Sequence, residues 1–169
     1  MKKDLSNIKK AKYLLDSNHC VAIPTETVYG LAANAYSNKA TSKIFKLKKR
    51  PKSNPLIVHY FRIRDLKEDC ELNNNFHKLY NKFCPGPITF VLKLKKKSKI
   101  SKNVTNGKNT LAVRFPKNSV TRSLLSFLKY PLAAPSANIY TQLSPISKKD
   151  VREEFGKKIK FILDGGVSK

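Results

Sequence analysis

Lys48, Lys49 and Arg50 stand in a row where a helical stretch runs into Pro51, and the apolar run Pro55 to Tyr60 follows almost at once. Cations on a loop held between a packed helix and a packed strand are rigidly mounted, so this corner is built to hold an anion. Of 35 basic residues only six are arginine, so the arginines carry more information than the lysines. Arg50 and Arg114 sit where a planar two-donor fork toward a carboxylate or phosphate would matter. Two further stretches offer small hydrogen-bonding groups. PTETVYGLAANA, from Pro24, supplies the Thr25 and Thr27 hydroxyls, the polar tip of Tyr29 and a close backbone approach at Gly30. Pro135-Ser136-Ala137-Asn138 lies at the carboxyl end of a short strand, where ligands gather in open α/β sheets. The same residues also suit a plain hydroxyl-rich turn, an Asx or Ser turn and a solvated basic helix end.

The elements that would position these groups follow from apolar periodicity. Ala40, Ile44 and Leu47 give one helical face, with Ser37 as its N-cap and Lys48 to Pro51 as its stop. Helices are also predicted over Asp4–Ser17, Ile63–Cys70, Asn75–Phe83, Ser119–Leu128 and Ser147–Phe155. Strands are predicted over Cys20–Ile23, Pro55–Tyr60, Ile88–Leu94, Thr110–Phe115, Leu132–Ala134 and Lys160–Leu163. PTETVYGLAANA reads as a turn and KLKKKSKISKN as a solvated loop. Strands alternating with helices predict a sheet flanked by helices, with several connections antiparallel.

The chain has 169 residues, 40% of them apolar, which suits one globular domain with a real core. It contains no apolar run of membrane-spanning length, and lysines interrupt its amino-terminal hydrophobicity, so a cytoplasmic protein is expected. Cys20, Cys70 and Cys84 are odd in number and lack paired spacing, which predicts reduced thiols and no zinc site. His19, His59 and His77 lack the close pairing of a metal helix. The net charge of +24 points to a polyanionic partner such as RNA, although lysine and asparagine excess is also what an A+T-rich genome writes onto a solvated surface.

PTETVYGLAANA, KKRPKSNPLIVH, PGPITFVL, VRFP, PLAAPSAN and LDGG occur in this order, and together they resemble the YrdC-like threonylcarbamoyl-AMP synthases from about Leu5 to Gly166. The resemblance implies one α+β domain, three-layered α/β/α, with a twisted sheet of mixed parallel and antiparallel strands and a basic concave face. It implies the formation of threonylcarbamoyl-AMP and pyrophosphate from L-threonine, bicarbonate and ATP, the first step of a tRNA adenosine modification. The family's K-x-R pair falls on Lys48 and Arg50, and its S-x-N pair on Ser136 and Asn138; these four are the implied catalytic and ATP-binding residues. Arg114 joins them as a nucleotide or carboxylate contact. Thr25, Thr27, Tyr29 and His59 are implied at the threonine end, while Glu26 is left to local capping or pairing. ATP enters as substrate, and magnesium travels on it without a protein metal site. Implied partners are tRNA or double-stranded RNA and the downstream threonylcarbamoyl transferase machinery; no membrane is involved.

Two departures from the family pattern carry expectations. Where the family has a Ser-Gly step after PSAN, this chain has Ile139 to Leu143, so a backbone position with positive φ is expected to fall on a residue other than glycine. The stop shortly after Asp164-Gly165-Gly166 reads as a shortened carboxyl terminus, implying an unpaired strand edge, weakened ATP binding and self-association. The alternative function is a non-catalytic RNA-binding module of the same fold. A sugar-phosphate synthase is disfavoured by only 11 acidic residues, and a carbamoyl-transfer maturation protein by the absence of zinc-binding cysteine pairs.

Overall fold

The computed structural model describes residues 2–168, and the alternation of side chains along its strands decides which layer each helix occupies. The elements run α1 (Lys2–Asp16), β1 (Val21–Ile23), β2 (Gly30–Asn34), α2 (Asn38–Lys48), β3 (Ile57–His59), α3 (Ile63–Leu66), α4 (Asn74–Phe83), β4 (Thr89–Lys93), α5 (Lys102–Thr105), β5 (Thr110–Arg114), α6 (Ser119–Ser126), β6 (Leu132–Ala133) and α7 (Lys148–Phe155), closed by a 3-10 turn over Gly156–Lys158. The sheet order is β1-β2-β6-β3-β5-β4; β3 and β5 are parallel and every other neighbouring pair is antiparallel. The predicted mixed sheet between helical layers is what forms.

Ala22, Leu31, Ala33, Val58, Val113 and Phe90 point to one face, where they meet apolar residues of α2, α3, α4, α5 and α7. Val21, Ile23, Ala32, Leu132 and Ala134 point to the other, against α1 and α6. That second face is roofed only in part. On β4 the outward residues Thr89, Val91 and Lys93 are exposed, Val91 to 71%. Register therefore leaves His59 and Arg114, paired side by side on β3 and β5, at the border between roofed and open sheet. Among the described residues no helix is long and apolar enough to cross a membrane. All three cysteines are free.

Four expectations change. KLKKKSKISKN, read as a solvated loop, buries Ile100 and Ser101 and runs into α5 at Lys102, capped by Ser101. Gly30–Asn34, read as a turn, is a strand paired on both sides, because its small residues give no β-branched signal yet permit close packing. A β-carbon at Gly30 would sit 3.4 Å from both the Ala134 β-carbon and the Pro135 carbonyl oxygen. The helix predicted to Cys70 ends at Leu66, since Cys70 bridges to Leu94 beside β4. Lys160–Leu163 makes a single parallel bridge, Ile162 to Ala22, so this segment lies along β1 and shields its outer edge.

Asp69 fixes the far end of the sheet. Its carboxylate, 1% exposed, accepts from the Tyr36 and Tyr60 hydroxyls at 2.8 Å each, the Ser98 hydroxyl at 2.6 Å and the Lys99 amide at 3.2 Å. Burial first, then the Asp69 charge, pushes both phenol pKa values up, so both hydroxyls stay donors. Replacing Asp69 with Ala strands these donors in the core. Urea denaturation is expected to show a loss of about 3 kcal/mol, against about 1 kcal/mol or less for Lys97→Ala at an exposed neighbour.

Candidate functional site

α2 is capped as the sequence indicates, the Ser37 hydroxyl accepting from the Ala40 amide at 3.1 Å. Its other end is not a solvated basic tail. Lys49 takes the left-handed C-cap conformation at φ 50° and is exposed, while Lys48 turns inward and is only 1% exposed. The Lys48 ammonium donates to the Ser136 carbonyl at 2.7 Å, to the Asn138 carbonyl, and to Asn138 Oδ1 at 3.2 Å. Burial, with help from the Arg50 charge and against the pull of Glu154, lowers its pKa to about 8. The Asn138 amide nitrogen in turn donates to the carbonyls of Ile139 and Gln142, at 2.9 and 2.6 Å. Thus Lys48, Ser136 and Asn138 come together as expected, in one hydrogen-bonded unit.

Arg50 stands beside it but grips its own loop. Nε and Nη2 donate to the carbonyls of Asn54 and Pro55 at 3.3 and 3.1 Å, and the guanidinium lies over the Tyr140 ring, 5.6 Å from its centroid. The Asn54 amide donates to the Tyr140 hydroxyl at 2.9 Å. Tyr140 also links to the helix end through its amide, which donates to the Lys48 carbonyl at 2.7 Å. The segment from Ile139 to Leu143 is therefore the cover of the Lys48–Arg50 corner, and Thr141 within it has φ 76°. A β-branched residue occupies the left-handed conformation that glycine adopts without strain.

The loop between β1 and β2 forms a second cluster. The Thr25 hydroxyl, buried, donates to the Val28 carbonyl at 2.7 Å and lies 3.1 Å from the Thr27 hydroxyl. Arg114 reaches up from β5, its Nη2 donating to Thr27 Oγ1 at 3.0 Å and to Glu26 Oε1 at 2.7 Å. Glu26 Oε2 accepts the Lys117 amide at 2.9 Å. Burial raises the Glu26 pKa, but the Arg114 and backbone hydrogen bonds and the Arg114 charge outweigh it, so the carboxyl is held below its usual range. His59 sits beside this pair, 3% exposed, and its Nδ1 is a buried atom with no hydrogen-bond partner among the described residues. Tyr29 is fully buried and braces the loop from below, its hydroxyl donating to the Gly166 carbonyl at 2.8 Å and accepting the Gly165 amide at 3.1 Å.

Asn54 and Tyr140 were not among the residues singled out from sequence, and Glu26, left to local capping or pairing, instead pairs at long range. Glu26 lies between the two threonines of PTET, but the arginine it pairs with is 88 residues away, and nothing local indicates that pairing. Chemically, the two clusters offer a buried ammonium on a turn of carbonyls, an arginine clamped by a carboxylate, two threonine hydroxyls and a neutral imidazole whose Nδ1 has no partner among the described residues. Such a set recognises a molecule with both anionic and donor groups.

A family model named Sua5_yciO_yrdC and described as telomere recombination matches residues 13–169. The chain belongs to the Sua5/YciO/YrdC family. This family chain is 40% identical over 163 residues to the threonylcarbamoyl-AMP synthase of Pyrococcus abyssi, an alignment covering 96% of it and 47% of that protein. It is 39% identical over 160 residues to the threonylcarbamoyl-AMP synthase of Bacillus subtilis, covering 94% and 46%. Among solved structures, P. abyssi Sua5 complexed with L-threonine superimposes with a TM-score of 0.91 at 40% identity, covering 95% of this chain and 47% of that one. The chain thus spans about half the length of the curated relatives it matches.

Two measurements check the site. Burial, then the Arg114 charge, with Glu26 opposing, lowers the His59 pKa to about 3, so the folded protein keeps His59 neutral where an unfolded chain protonates it near 6.5. The unfolded state then binds more protons as pH falls from 6.5 toward 3, and stability falls with it. Between pH 7 and pH 5 the wild type should lose about 2 kcal/mol more than His59→Gln in urea titrations. At the cover loop, Thr141→Gly should raise unfolding stability by about 0.5 to 1 kcal/mol by relieving the positive φ, whereas Thr141→Ala should not.

Proposed function

We propose that this chain makes threonylcarbamoyl-AMP and pyrophosphate from L-threonine, bicarbonate and ATP, for tRNA adenosine modification. The observation that carries the reading is 40% identity across 96% of the chain to the threonylcarbamoyl-AMP synthase of Pyrococcus abyssi. Residues 1–169 serve as one YrdC-like domain, working in the cytoplasm. The amino nitrogen of threonine adds to the carbon of bicarbonate and water leaves, giving a carbamate. A carbamate oxygen then attacks the α-phosphorus of ATP, and pyrophosphate departs. Adenylyl transfer of this kind needs alignment and charge neutralisation more than covalent help.

Lys48 and Arg50 supply the positive field for the phosphates, while Ser136 and Asn138 shape the turn that receives the α-phosphate. Magnesium arrives on the nucleotide, whose oxygens are its natural ligands, and neutralises the triphosphate. Arg114 and the Thr27 hydroxyl face the threonine carboxylate and hydroxyl. The unpaired His59 nitrogen suits an ammonium or hydroxyl proton, acting as a hydrogen-bond acceptor instead of a base, given its low pKa. Thr25 and Tyr29 hold the loop that presents these groups. The product passes to a threonylcarbamoyl transferase, and tRNA is the chain's macromolecular partner.

Pyrophosphate release is expected only when ATP, L-threonine and bicarbonate are all present, with threonylcarbamoyl-AMP detected by mass spectrometry. Release that ignores threonine would refute the assignment. The charge of +24 favours a second reading, an RNA-binding module without catalysis, and no pyrophosphate together with RNA binding would select it.

A further inference from the structure

At the opposite end of β1 from the Thr25 loop, cations gather without acids. His19, in the turn before β1, lies in a concavity of about 190 Å³ with Lys43 and Lys46 of α2 and with Lys158 and Lys160 from the segment after α7. None of these residues belongs to the Lys48–Arg50 corner or the Glu26–Arg114 cluster. Lys160 Nζ is 3.1 Å from His19 Nε2, and Lys43 Nζ donates to the Asn18 carbonyl at 2.7 Å. Among the described residues, the ion pairs of the molecule engage other lysines and arginines. Three segments far apart in sequence meet here, so the fold assembles the cluster; it is not one run of lysines.

Uncompensated like charges held together raise the local potential and favour a polyanion that releases its counterions on contact. We propose that this cluster docks the phosphodiester backbone of RNA, on a face separate from the adenylylating site. The inference rests on the RNA partner proposed above and locates it. Lysine ammoniums on flexible stems, exposed at Lys46, Lys158 and Lys160 and half-buried at Lys43, suit a backbone with many phosphates, whereas a tight small-anion site needs converging backbone amides. His19 reports on occupancy. Partial burial, then Lys160, Lys43 and Lys39, lowers its pKa, and the neighbouring Cys20 thiol, raised to about 12 chiefly by burial, stays neutral. A phosphate set among these lysines offsets their charge at the imidazole and so raises its pKa.

Fluorescence anisotropy with an unmodified tRNA transcript and with an RNA duplex, over a range of salt, tests this on Lys43→Gln/Lys160→Gln against Lys78→Gln/Lys82→Gln on α4, which removes equal charge elsewhere. The first pair should weaken binding about tenfold and flatten the salt slope by about 2, while the α4 pair stays within about twofold. Nuclear magnetic resonance should show the His19 pKa rising on RNA addition. Pyrophosphate release should be unchanged in both variants, which shows that they fold. Equal losses in the two pairs, or none, would overturn the location while leaving RNA binding standing. Absence of RNA binding by the wild type would remove the RNA partner itself without touching the pyrophosphate result. An equal His19 shift with inorganic pyrophosphate alone would make the cluster a small-anion site and overturn the RNA assignment.

Discussion

The buried ammonium of Lys48 is the constraint on which the site depends. Taking a charge out of water is costly unless its protons are all met, and here the Ser136 carbonyl and the two Asn138 oxygens meet them. Because the acceptors are mainly backbone atoms, the bond fixes the path of the PSAN turn and not merely one side chain. It also fixes α2 against the crossover from β6 to α7, a connection reinforced by Glu154, which accepts the Ile139 amide at 2.7 Å. A depressed pKa is the electrostatic record of that burial, and an arriving phosphate would offset it by supplying the negative charge that the carbonyls only approximate.

The second cluster works by a different balance. Arg114 is held by a full carboxylate, with side-chain exposures of 12% and 17% for arginine and Glu26. Partial burial strengthens the pair relative to an open surface without imposing the full desolvation cost of a core ion pair. Glu26 therefore sets the plane of the guanidinium, and that plane determines which donors face the bare part of the sheet. His59 is next to a cation and is almost fully enclosed, so both effects remove its proton and leave an acceptor. One cluster thus centres on a buried ammonium, while the other sets a carboxylate-held guanidinium beside a neutral imidazole.

How much of this was legible in the sequence depends on the range of the interaction. Ser37 capping α2, the amphipathic helices and the β-branched strands are set by residues within a turn of one another, and their positions match within a few residues. β2 was missed because its residues are small, Gly30 packing closely against Ala134 and Pro135, and smallness without β-branching also reads as a turn. The site residues were nameable through ordered motifs, but their local partners were not. Lys48 looks like a solvated helix end until the turn some 88 residues later is folded against it. The positive φ expected after PSAN could be anticipated from the missing glycine, yet its place at Thr141 is a property of the folded loop.

With only 11 carboxylates against 35 basic residues, the location of each acid is informative. Asp69 gathers two phenols, a hydroxyl and an amide; Glu26 gathers an arginine and an amide; Asp150 closes the capping box with Ser147 at the start of α7; Glu154 holds the Ile139 amide. Each satisfies backbone or core donors that no lysine could satisfy, since an ammonium has no acceptor to offer. Asp16, Asp65, Glu71, Glu153 and Asp164 form exposed pairs such as Arg62–Asp65 and Lys149–Glu153, worth little in stability. Four of the 11 carboxylates thus sit at donor-rich joints of the fold, and with so few left over the surface stays strongly cationic. The cationic surface of this protein is set by where its acids are absent as much as by where its lysines are dense.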